Sequence, residues 1–340
     1  MSLDLNHLEI IGTGSYLPSR VVKTAEFVGR DLWAYDSLGK RVGDARRLTE
    51  EDIFRLTGIR ERRKSDADEW PSDMGYIASK RALEKANVSA DSLVGIIVAT
   101  VSERDNFPSA AVKIQHKLSA KNVEIAYDMQ NACAGFPLAL TNANALSRDY
   151  RGNWLVVASE CLTKVNDYTD INCHLFGDGA GAVVLQPTVV NKGILAGYSR
   201  SEPFDTEGLT GKDMIFRDPI AKCIRMPNGA AVLKKAVSSM VDSARTLKEK
   251  LGWERADVYI PHQANERIIA GVEKRIALDG ALVYRTVERY GNMSSATCPV
   301  ALDEAIRDGV VRVSNDGTGS KVIITSFGAG LVTSAVAVQF

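Results

Sequence analysis

The chain has 340 residues, of which 45% are hydrophobic and 25% are charged, and its 42 lysines and arginines balance its 42 aspartates and glutamates. This balance excludes a global basic field for nucleic acid, and the lack of a run of about 18 apolar residues excludes a membrane-spanning helix. Five cysteines without a C-x-x-C pair favour reduced thiols over disulfides or a zinc site. No signal peptide precedes Ile10, so we expect a cytoplasmic protein. We also expect it to need no metal or cofactor.

Strands and helices alternate along the chain in two comparable halves, which we place at 1–190 and 191–340. This alternation predicts an α/β layered architecture, and no low-complexity linker separates the halves. Apolar and β-branched runs predict strands at 10–11, 95–100, 123–127, 154–159 and 182–186, and then at 193–200, 258–260, 322–325 and 331–338. Helical spacing predicts helices at 72–87, 110–118, about 230–251 and 266–277.

Cys133 lies at a strand-to-helix junction, between the predicted strand 123–127 and a helix that begins beyond Gly135. Unpaired N–H groups and the helix dipole stabilise a thiolate at such a position, so we expect a lowered thiol pKa. Its small neighbours leave room for an acyl chain beside the sulfur. A lone cysteine is, however, usually an inert buried side chain.

His262 and Asn292 stand at comparable junctions in the second half. His262 ends the strand 258–260, where active sites of open α/β sheets gather, and Asn265 is placed to cap the helix that follows. Asn292 belongs to a Gly-Asn pair before a Ser-rich stretch that opens another helix. A core histidine and a turn with a cap are the ordinary alternatives. One cysteine, one histidine and one asparagine at such positions nevertheless suggest a nucleophilic site.

Eight motifs follow one another in a fixed order along nearly the whole chain. They are IIGTGSYLP (10–18), TGIRER (57–62), FPSAA (107–111), CAGF (133–136), FGDGAGA (176–182), HQAN (262–265), GN (291–292) and SFGAG (326–330). In this order they resemble 3-oxoacyl-[acyl-carrier-protein] synthase III, a condensing-enzyme family of the thiolase superfamily. The resemblance implies a thiolase-like, five-layered α-β-α-β-α fold, with the nucleophilic cysteine in the first half and the histidine and asparagine in the second.

The resemblance also implies a reaction and a set of site residues. An acyl group is loaded on Cys133 from acyl-CoA or an acyl carrier protein, and a malonyl thioester then condenses with it and loses CO2. His262 and Asn292 complete the triad and stabilise the malonyl enolate. The backbone N–H groups of Cys133 and Ala329 form a second oxyanion hole, although the family usually has glycine at position 329. The product is a 3-oxoacyl thioester of fatty-acid or related lipid and polyketide synthesis.

Two further interactions are implied by the resemblance. An acidic acyl carrier protein is expected to bind Arg267, Lys274 and Arg275, with Lys234 on another helix, although a solvated basic face is an equally ordinary explanation. Phe107 is expected to reach across a homodimer interface into the partner's acyl tunnel, although a lone aromatic is often simply packed.

The chain departs from the family pattern at the expected mouth of the site. In acetyl-CoA-primed members a tryptophan and an arginine sandwich the CoA adenine, and Asp52 and Ile171 stand at those positions here. About 20 extra residues, near 29–49, precede Asp52, and this segment is expected to lie beside the entrance. It carries Trp33. The acyl donor is therefore expected to be longer than acetyl, carried on a protein, or recognised by a rebuilt mouth.

Several alternatives stay open at this point. One is a relative that transfers the acyl group to an oxygen or nitrogen acceptor or hydrolyses it, and another is a plant-type polyketide synthase, which the stretch 291–295 also resembles. A non-catalytic partner subunit is a third, disfavoured because all three triad residues are present. The glycines of 12–14 and 177–181 lack complete dinucleotide or P-loop patterns and indicate close backbone approach instead. We interpret the other residues of the triad's types as structural: His7, His116, His174, Cys161, Cys173, Cys223 and Cys298.

Overall fold

The structure is a computed structural model that describes residues 7–188, 192–202, 214–276 and 280–340. Its strands are β1 His7–Tyr16, β2 Arg20–Lys23, β3 Leu32–Tyr35, β4 Arg41–Arg46, β5 Glu61–Lys64, β6 Leu93–Ala99, β7 Ile125–Met129, β8 Asn153–Cys161, β9 Asp178–Thr188, β10 Gly193–Ser201, β11 Phe216–Arg217, β12 Ile224–Arg225, β13 Val258–Pro261, β14 Leu282–Val283, β15 Lys321–Gly328 and β16 Val332–Gln339. Its α-helices within those ranges are α1 Glu50–Thr57, α2 Pro71–Ala86, α3 Ala110–Leu118, α4 Gly135–Leu146, α5 Gly229–Leu251, α6 Glu266–Ile276, α7 Val287–Tyr290 and α8 Thr297–Arg307.

Two five-stranded sheets form the body of the protein, and they repeat one topology. The first has the order β1-β9-β8-β6-β7 and the second β10-β16-β15-β13-β14. When the five strands of each sheet are numbered along the chain, both sheets have the order first, fifth, fourth, second, third. The pairings also correspond. In each order the first two strand pairs are antiparallel and the last two are parallel. The prediction of two similar halves is confirmed.

Helices lie between the sheets and on both outer faces, which gives the five layers. The apolar sides of α4 and α8 share one buried cluster with strands of both sheets, so these two helices form the central layer. The helices α2 and α3 pack on the outer face of the first sheet, and α5 and α6 on the outer face of the second. The first turns of α4 are apolar and mostly buried, whereas Thr141, Asn142 and Asn144 further along are only partly buried. The central helices begin beside each other, and this junction positions the site.

The glycines of β1 allow a helix to approach the strand closely. A Cβ atom at Gly12 would lie 2.3 Å from the Ala82 carbonyl oxygen, and one at Gly14 would lie 2.4 Å from the Ala78 oxygen. Both contacts are shorter than any real Cβ tolerates, so α2 lies directly on the backbone of β1. This close packing accounts for the glycines without any nucleotide.

Most of the predicted strands and helices are present, but one strand is shifted and two predicted boundaries fall outside the described residues. The strand expected at 123–127 lies at Ile125–Met129, and the extra segment near 29–49 forms the hairpin β3–β4. Residue 190, where we placed the boundary between the halves, and residue 277, the expected end of α6, lie outside the described residues. None of the described helices is long and apolar enough to cross a membrane.

Candidate active site

Cys133 lies in a tight turn at the start of the central helix α4. The turn Ala132–Ala134 is a 3-10 helix, and Ala132 adopts a left-handed backbone with φ of 44°. The Ser326 hydroxyl donates to the Cys133 carbonyl oxygen at 2.6 Å, which ties the turn to β15 of the other half. A Cβ atom at Gly328 would lie 3.1 Å from the Cys133 nitrogen, so glycine lets β15 approach the nucleophile's backbone. The thiol is therefore held by both halves.

The expectation of a lowered pKa for Cys133 is wrong in direction. Burial raises the pKa of this thiol to about 12, the Ser294 hydroxyl lowers it, and the nearby carboxyl of Glu160 raises it again. The helix α4 begins only at Gly135, beyond the turn, and the loss of hydration outweighs the favourable effect of its N-terminus. Cys133 therefore rests as a neutral thiol at physiological pH.

His262 follows β13 and is almost fully buried. Its backbone N–H donates to the Thr325 oxygen at 2.8 Å, and its Nδ1 lies 2.6 Å from the Thr297 hydroxyl oxygen at the start of α8. Burial lowers the pKa of His262 to about 3, so the imidazole is neutral at physiological pH. The predicted cap is confirmed, because Asn265 Oδ1 accepts from the Arg267 N–H at 2.8 Å.

Asn292 occupies the turn before α8, which corresponds to the turn of Cys133 before α4. Its Oδ1 accepts from the Ser294 N–H at 2.8 Å, which leaves the amide N–H groups for the cavity. Its backbone bonds Leu175 and Gly177 of the first half, at 2.9 and 3.0 Å. Ser294 has a φ of 48°, close to that of Ala132. The two turns thus repeat the same local geometry in the two halves.

One cavity of about 490 Å³ brings the three predicted catalytic residues together. Cys133, His262 and Asn292 all line it, and so does Ala329 in the turn between β15 and β16. The walls are mostly apolar and are formed by Leu48, Leu56, Ile171, Leu175, Phe176, Ile215, Met226, Val232, Leu233 and Met240. An apolar cavity that ends at a thiol suits an acyl chain on its way to the sulfur.

Three of the four predicted carrier-binding residues lie on one helix at the cavity. Arg267 of α6 lines the cavity, Lys274 and Arg275 are exposed further along, and Lys234 is exposed on α5. None of the four has an acidic partner among the described residues. The acidic residues of α6, Glu266 and Glu273, are instead bound by Arg285 at 3.1 and 2.6 Å. The surface beside the cavity is therefore cationic.

Phe107 lies away from this cavity, in the loop before α3. The Phe107 residue is 84% exposed. Val112, five residues later in α3, is 41% exposed. An aromatic ring left this open to water is typical of a surface that another chain covers.

The hairpin β3–β4 meets the cavity at its C-terminal end. Its Trp33 pairs through the backbone with the segment 169–171, donating to the Thr169 oxygen at 2.8 Å and accepting from the Ile171 N–H at 2.9 Å. The Trp33 ring is covered by the Arg41 guanidinium, 4.0 Å from its centroid. Among the described residues of this hairpin and its exit, the cavity is lined by Arg46 and Leu48, not by Trp33.

Neither position expected to hold CoA adenine carries a stacking side chain. Ile171 lines the cavity as an apolar residue. Asp52 caps α1, accepting from the Thr49 N–H at 3.2 Å, and it pairs with Arg55 at 3.0 Å. The residue at 52 thus serves the helix rather than a nucleotide.

A polar cluster that was not predicted from the sequence lies close to Cys133. Glu160 of β8 is fully buried, and burial raises its pKa to about 7. It accepts hydrogen bonds from Ser102 and Ser295 at 2.5 and 3.0 Å. An acidic residue directly after the apolar run 154–159 was the signal available in the sequence. Only the fold shows that this strand ends beside Cys133.

Comparisons with known proteins agree along the chain. Two family models match, "3-oxoacyl-[acyl-carrier-protein (ACP)] synthase III" over residues 127–203 and its "C terminal" counterpart over 248–340. A "Beta-ketoacyl-[acyl-carrier-protein] synthase III" of Oceanobacillus iheyensis is 37% identical, covering 98% of this chain and 99% of the relative. A crystal structure of 3-oxoacyl-[acyl-carrier-protein] synthase III from Aquifex aeolicus is 34% identical with a TM-score of 0.83, over 98% of this chain and 100% of that one. A priming β-ketosynthase of a polyketide biosynthetic pathway is 32% identical with a TM-score of 0.84, over 100% of this chain and 98% of that one.

Proposed function

The chain belongs to the 3-oxoacyl-[acyl-carrier-protein] synthase III family, and from this premise we propose how its own residues carry out the reaction. It is a condensing enzyme of the thiolase fold. It joins an acyl group to a malonyl thioester, with loss of CO2, to give a 3-oxoacyl thioester in fatty-acid or polyketide synthesis. The malonyl thioester is carried by an acyl carrier protein, and no cofactor is required because decarboxylation itself generates the carbon nucleophile.

In the first half-reaction Cys133 attacks the acyl thioester. The new bond joins Sγ to the acyl carbon, the donor's own C–S bond breaks, and the donor leaves as a thiol. The negative charge that develops on the acyl oxygen is bound by the backbone N–H groups of Cys133 and Ala329. Both residues line the cavity, and Gly328, the neighbour of Ala329, lies against the Cys133 nitrogen. A backbone donor survives the replacement of the family's usual glycine by Ala329.

In the second half-reaction His262 and Asn292 act on the malonyl thioester. As the carboxylate leaves as CO2, its electron pair forms an enolate whose oxygen needs neutral donors. This role needs the imidazole hydrogen on Nε2, so that Nδ1, 2.6 Å from the Thr297 hydroxyl oxygen, accepts that hydroxyl's hydrogen. The imidazole then donates its Nε2 hydrogen, beside the Asn292 amide. The enolate carbon attacks the acyl carbon, the bond between Sγ and that carbon breaks, and the Cys133 thiolate that leaves takes up a proton from solvent to regenerate the thiol.

The observation that carries this proposal is the convergence of Cys133, His262 and Asn292 on one apolar cavity. Its test is sequential incubation of the enzyme with an acyl thioester and then with malonyl carrier protein. Intact-protein mass spectrometry should first show the acyl mass on Cys133. The second addition should remove that mass and release one CO2 for each 3-oxoacyl product. Release of the acyl group to water or an alcohol, without CO2, would support the transferase alternative instead.

The basic surface beside the cavity predicts how the carrier protein is bound. Replacing Lys274 by glutamate should raise KM for malonyl carrier protein by about tenfold at low salt, because one attraction becomes a repulsion. The effect should shrink as salt is added, since the charge is exposed. Steady-state assays at two salt concentrations measure this.

Two controls accompany this prediction. Lys121→Glu makes the same charge change on an exposed residue of the first half and should leave KM unchanged. Malonyl-CoA, which lacks the carrier protein, should be used equally well by wild type and Lys274→Glu. If KM for malonyl-CoA rises as much as KM for the carrier, the substitution distorts the cavity and Lys274 is not a docking residue.

The exposure of Phe107 predicts a homodimer. Phe107→Asp should shift the protein towards a monomer in analytical ultracentrifugation, because a charge would be buried in place of an aromatic ring. The preference for acyl-chain length should change as well if the ring enters the partner's tunnel. Val313→Asp changes another exposed apolar residue, 55% accessible, and should leave the mass unchanged. A wild-type monomer would contradict the assignment.

The altered mouth predicts that acetyl-CoA is a poor acyl donor. Each base stack is worth about 1–3 kcal/mol, so the loss of the residues at 52 and 171 should weaken a CoA donor by roughly tenfold to a hundredfold per contact. Trp33, stacked with Arg41, does not supply a substitute from within the cavity. A longer acyl chain or a carrier-bound acyl group should acylate Cys133 faster.

Quenched acylation with CoA and carrier-protein donors tests this prediction. Acetyl-CoA, a medium-chain acyl-CoA and the matching carrier thioesters are compared at equal concentration. Ile171→Arg restores a cation at the position where an arginine contacts the CoA adenine in acetyl-CoA-primed members. It should raise the acylation rate with CoA donors and leave the rate with carrier thioesters unchanged. An acetyl-CoA rate equal to or above the others would return the chain to ordinary initiation of fatty-acid synthesis.

A further inference from the structure

The inserted hairpin β3–β4 brings a cation, Arg46, to the cavity. Arg46 is the last residue of β4, and it lines the cavity while remaining exposed to solvent. Its register partner in β3, Leu32, is fully buried, and the next residue, Arg47, pairs with Asp31 at 2.7 Å. The chain is therefore anchored on both sides of Arg46, whereas the Arg46 guanidinium forms no ion pair within the described ranges.

Contacts of the strand β3 hold this hairpin against the body of the protein. The buried Arg225 guanidinium lies 3.6 Å from the centroid of the Tyr35 ring and pairs with Asp167 at 2.7 Å. The Tyr35 hydroxyl forms a hydrogen bond of 2.8 Å with the Thr169 hydroxyl. Arg46 is therefore presented from an element that is already ordered, which reduces the entropic cost of binding a ligand there.

Positive charge is concentrated at the solvent end of the cavity. Among the described residues that line it, Arg46 and Arg267 are the two that are charged at neutral pH, and no aspartate or glutamate is present. Burial lowers the pKa of His174 to about 4 and that of His262 to about 3, so both lining histidines are neutral. The two arginines are exposed, whereas His262 and Asn292 are buried. The cavity therefore runs from cations at the solvent to the catalytic residues inside.

The segments that carry the two arginines are neighbours. The helix α1 follows the hairpin and packs against the start of α6, which carries Arg267. The Asn265 side-chain N–H donates to the Leu56 oxygen at 3.0 Å. A Cβ atom at Gly58 would lie 2.4 Å from the Glu266 Cβ atom. The hairpin exit and the start of α6 thus border the cavity together.

An acyl thioester carries an anion that matches this arrangement. CoA and acyl carrier protein both present the thioester at the end of a pantetheine arm, and the other end of that arm is a phosphate ester. When the thioester reaches Cys133, the arm extends towards solvent and its phosphate lies at the outer end. An arginine binds phosphate through paired, charge-assisted hydrogen bonds. The malonyl carboxylate is a poorer match, because it is lost beside His262 and Asn292, which are buried.

We propose that Arg46 binds the phosphate at the outer end of the pantetheine arm of the acyl donor. The inserted hairpin thereby supplies a phosphate contact at the solvent end of the cavity. Because this phosphate is common to CoA and the carrier protein, the contact serves either donor and does not depend on the adenine. This agrees with the absence of stacking side chains at 52 and 171. The proposal rests on the proposed function, since it concerns the donor that acylates Cys133.

The test compares four thioesters of one medium-length acyl chain: acyl-pantetheine, which has no phosphate, acyl-phosphopantetheine, acyl-CoA and the acyl carrier protein. Rapid quench and intact-protein mass spectrometry give the donor concentration for half-maximal acylation of Cys133. Arg46→Ala should raise that concentration by about tenfold or more for the three phosphate-bearing donors, the scale of one charge-assisted hydrogen bond. The value for acyl-pantetheine should not change. Arg46→Lys keeps the charge without the planar fork and should lose less.

Arg47→Ala is the matched control for this substitution. Arg47 is the next residue and is also exposed, but it is paired with Asp31 and is not among the residues that line the cavity. Its replacement removes the same charge from the same segment and should leave all four donors unaffected. Because both arginines are exposed, both variants are expected to fold.

Other outcomes would overturn the proposal. An equal loss with acyl-pantetheine would mean that Arg46 shapes the cavity and does not bind phosphate. A loss with acyl-CoA alone would place Arg46 against the nucleotide, and a loss with the carrier protein alone would place it against the protein surface. No loss with any donor would remove Arg46 from donor binding altogether. If the wild-type enzyme takes up no acyl group on Cys133 from any of the four, it is the proposed function that fails.

Discussion

Cys133→Ser is expected to leave no detectable acyl-enzyme with any thioester donor. Serine places a weaker nucleophile in the same turn, in surroundings that already raise the pKa of the native thiol to about 12. A hydroxyl there has still less tendency to ionise, so the acylation rate should fall by a factor on the order of 10⁴ or more, as for loss of other catalytic nucleophiles. Intact-protein mass spectrometry after incubation with the best donor measures the loss.

Cys298→Ser is the matched control for this substitution. Cys298 is fully buried at the start of α8, and its sulfur contacts the Thr325 oxygen at 3.9 Å. It should keep the acyl mass on Cys133. Iodoacetamide should also label Cys133 first, because it is the most exposed of the five cysteines. Accessibility rather than acidity sets that expectation. An acyl mass on any other cysteine would contradict the assignment of the nucleophile.

The fold was predictable because both halves repeat strong local patterns. The strands β6, β8 and β15 are continuous apolar runs, as buried parallel strands require, and each is bounded by polar residues. The three catalytic candidates were found because each stands at a strand or helix end. Their convergence is a property of the duplicated topology, which the family resemblance implied and the pattern alone did not.

What the sequence did not reveal depends on burial and on contacts between distant residues. The direction of the Cys133 pKa shift follows from how deeply the turn is buried, which no local pattern records. Glu160 is separated by more than a hundred residues from Ser295, with which it shares a hydrogen bond. The hairpin β3–β4 was missed because its strands are short, and β4 is charged and exposed along its whole length. It is held instead by pairing with the segment 169–171.

His262→Ala and Asn292→Ala are each expected to reduce decarboxylation of the malonyl thioester by about a hundredfold or more, the usual scale for removing one oxyanion donor. The two side chains are neutral donors for one developing charge, so the double variant should lose less than the product of the two single effects. Asn292→Ala should still take up the acyl group on Cys133, since the backbone donors that serve that step remain. CO2 release from preloaded acyl-enzyme, mixed with malonyl carrier protein, separates the two steps.

The pH dependence of this second step distinguishes a neutral donor from a cationic one. With its pKa lowered to about 3, His262 is uncharged throughout the neutral range, so the decarboxylation rate should show no histidine inflection between about pH 5 and 8. An imidazolium donor would instead lose activity as pH rises through its pKa. Asn144→Ala, which removes an amide that bonds the Leu8 N–H outside the cavity, should change neither rate. If Asn292→Ala condensed at nearly the wild-type rate, no enolate would need its amide, and transfer of the Cys133-bound acyl group to another acceptor would become the better account of this site.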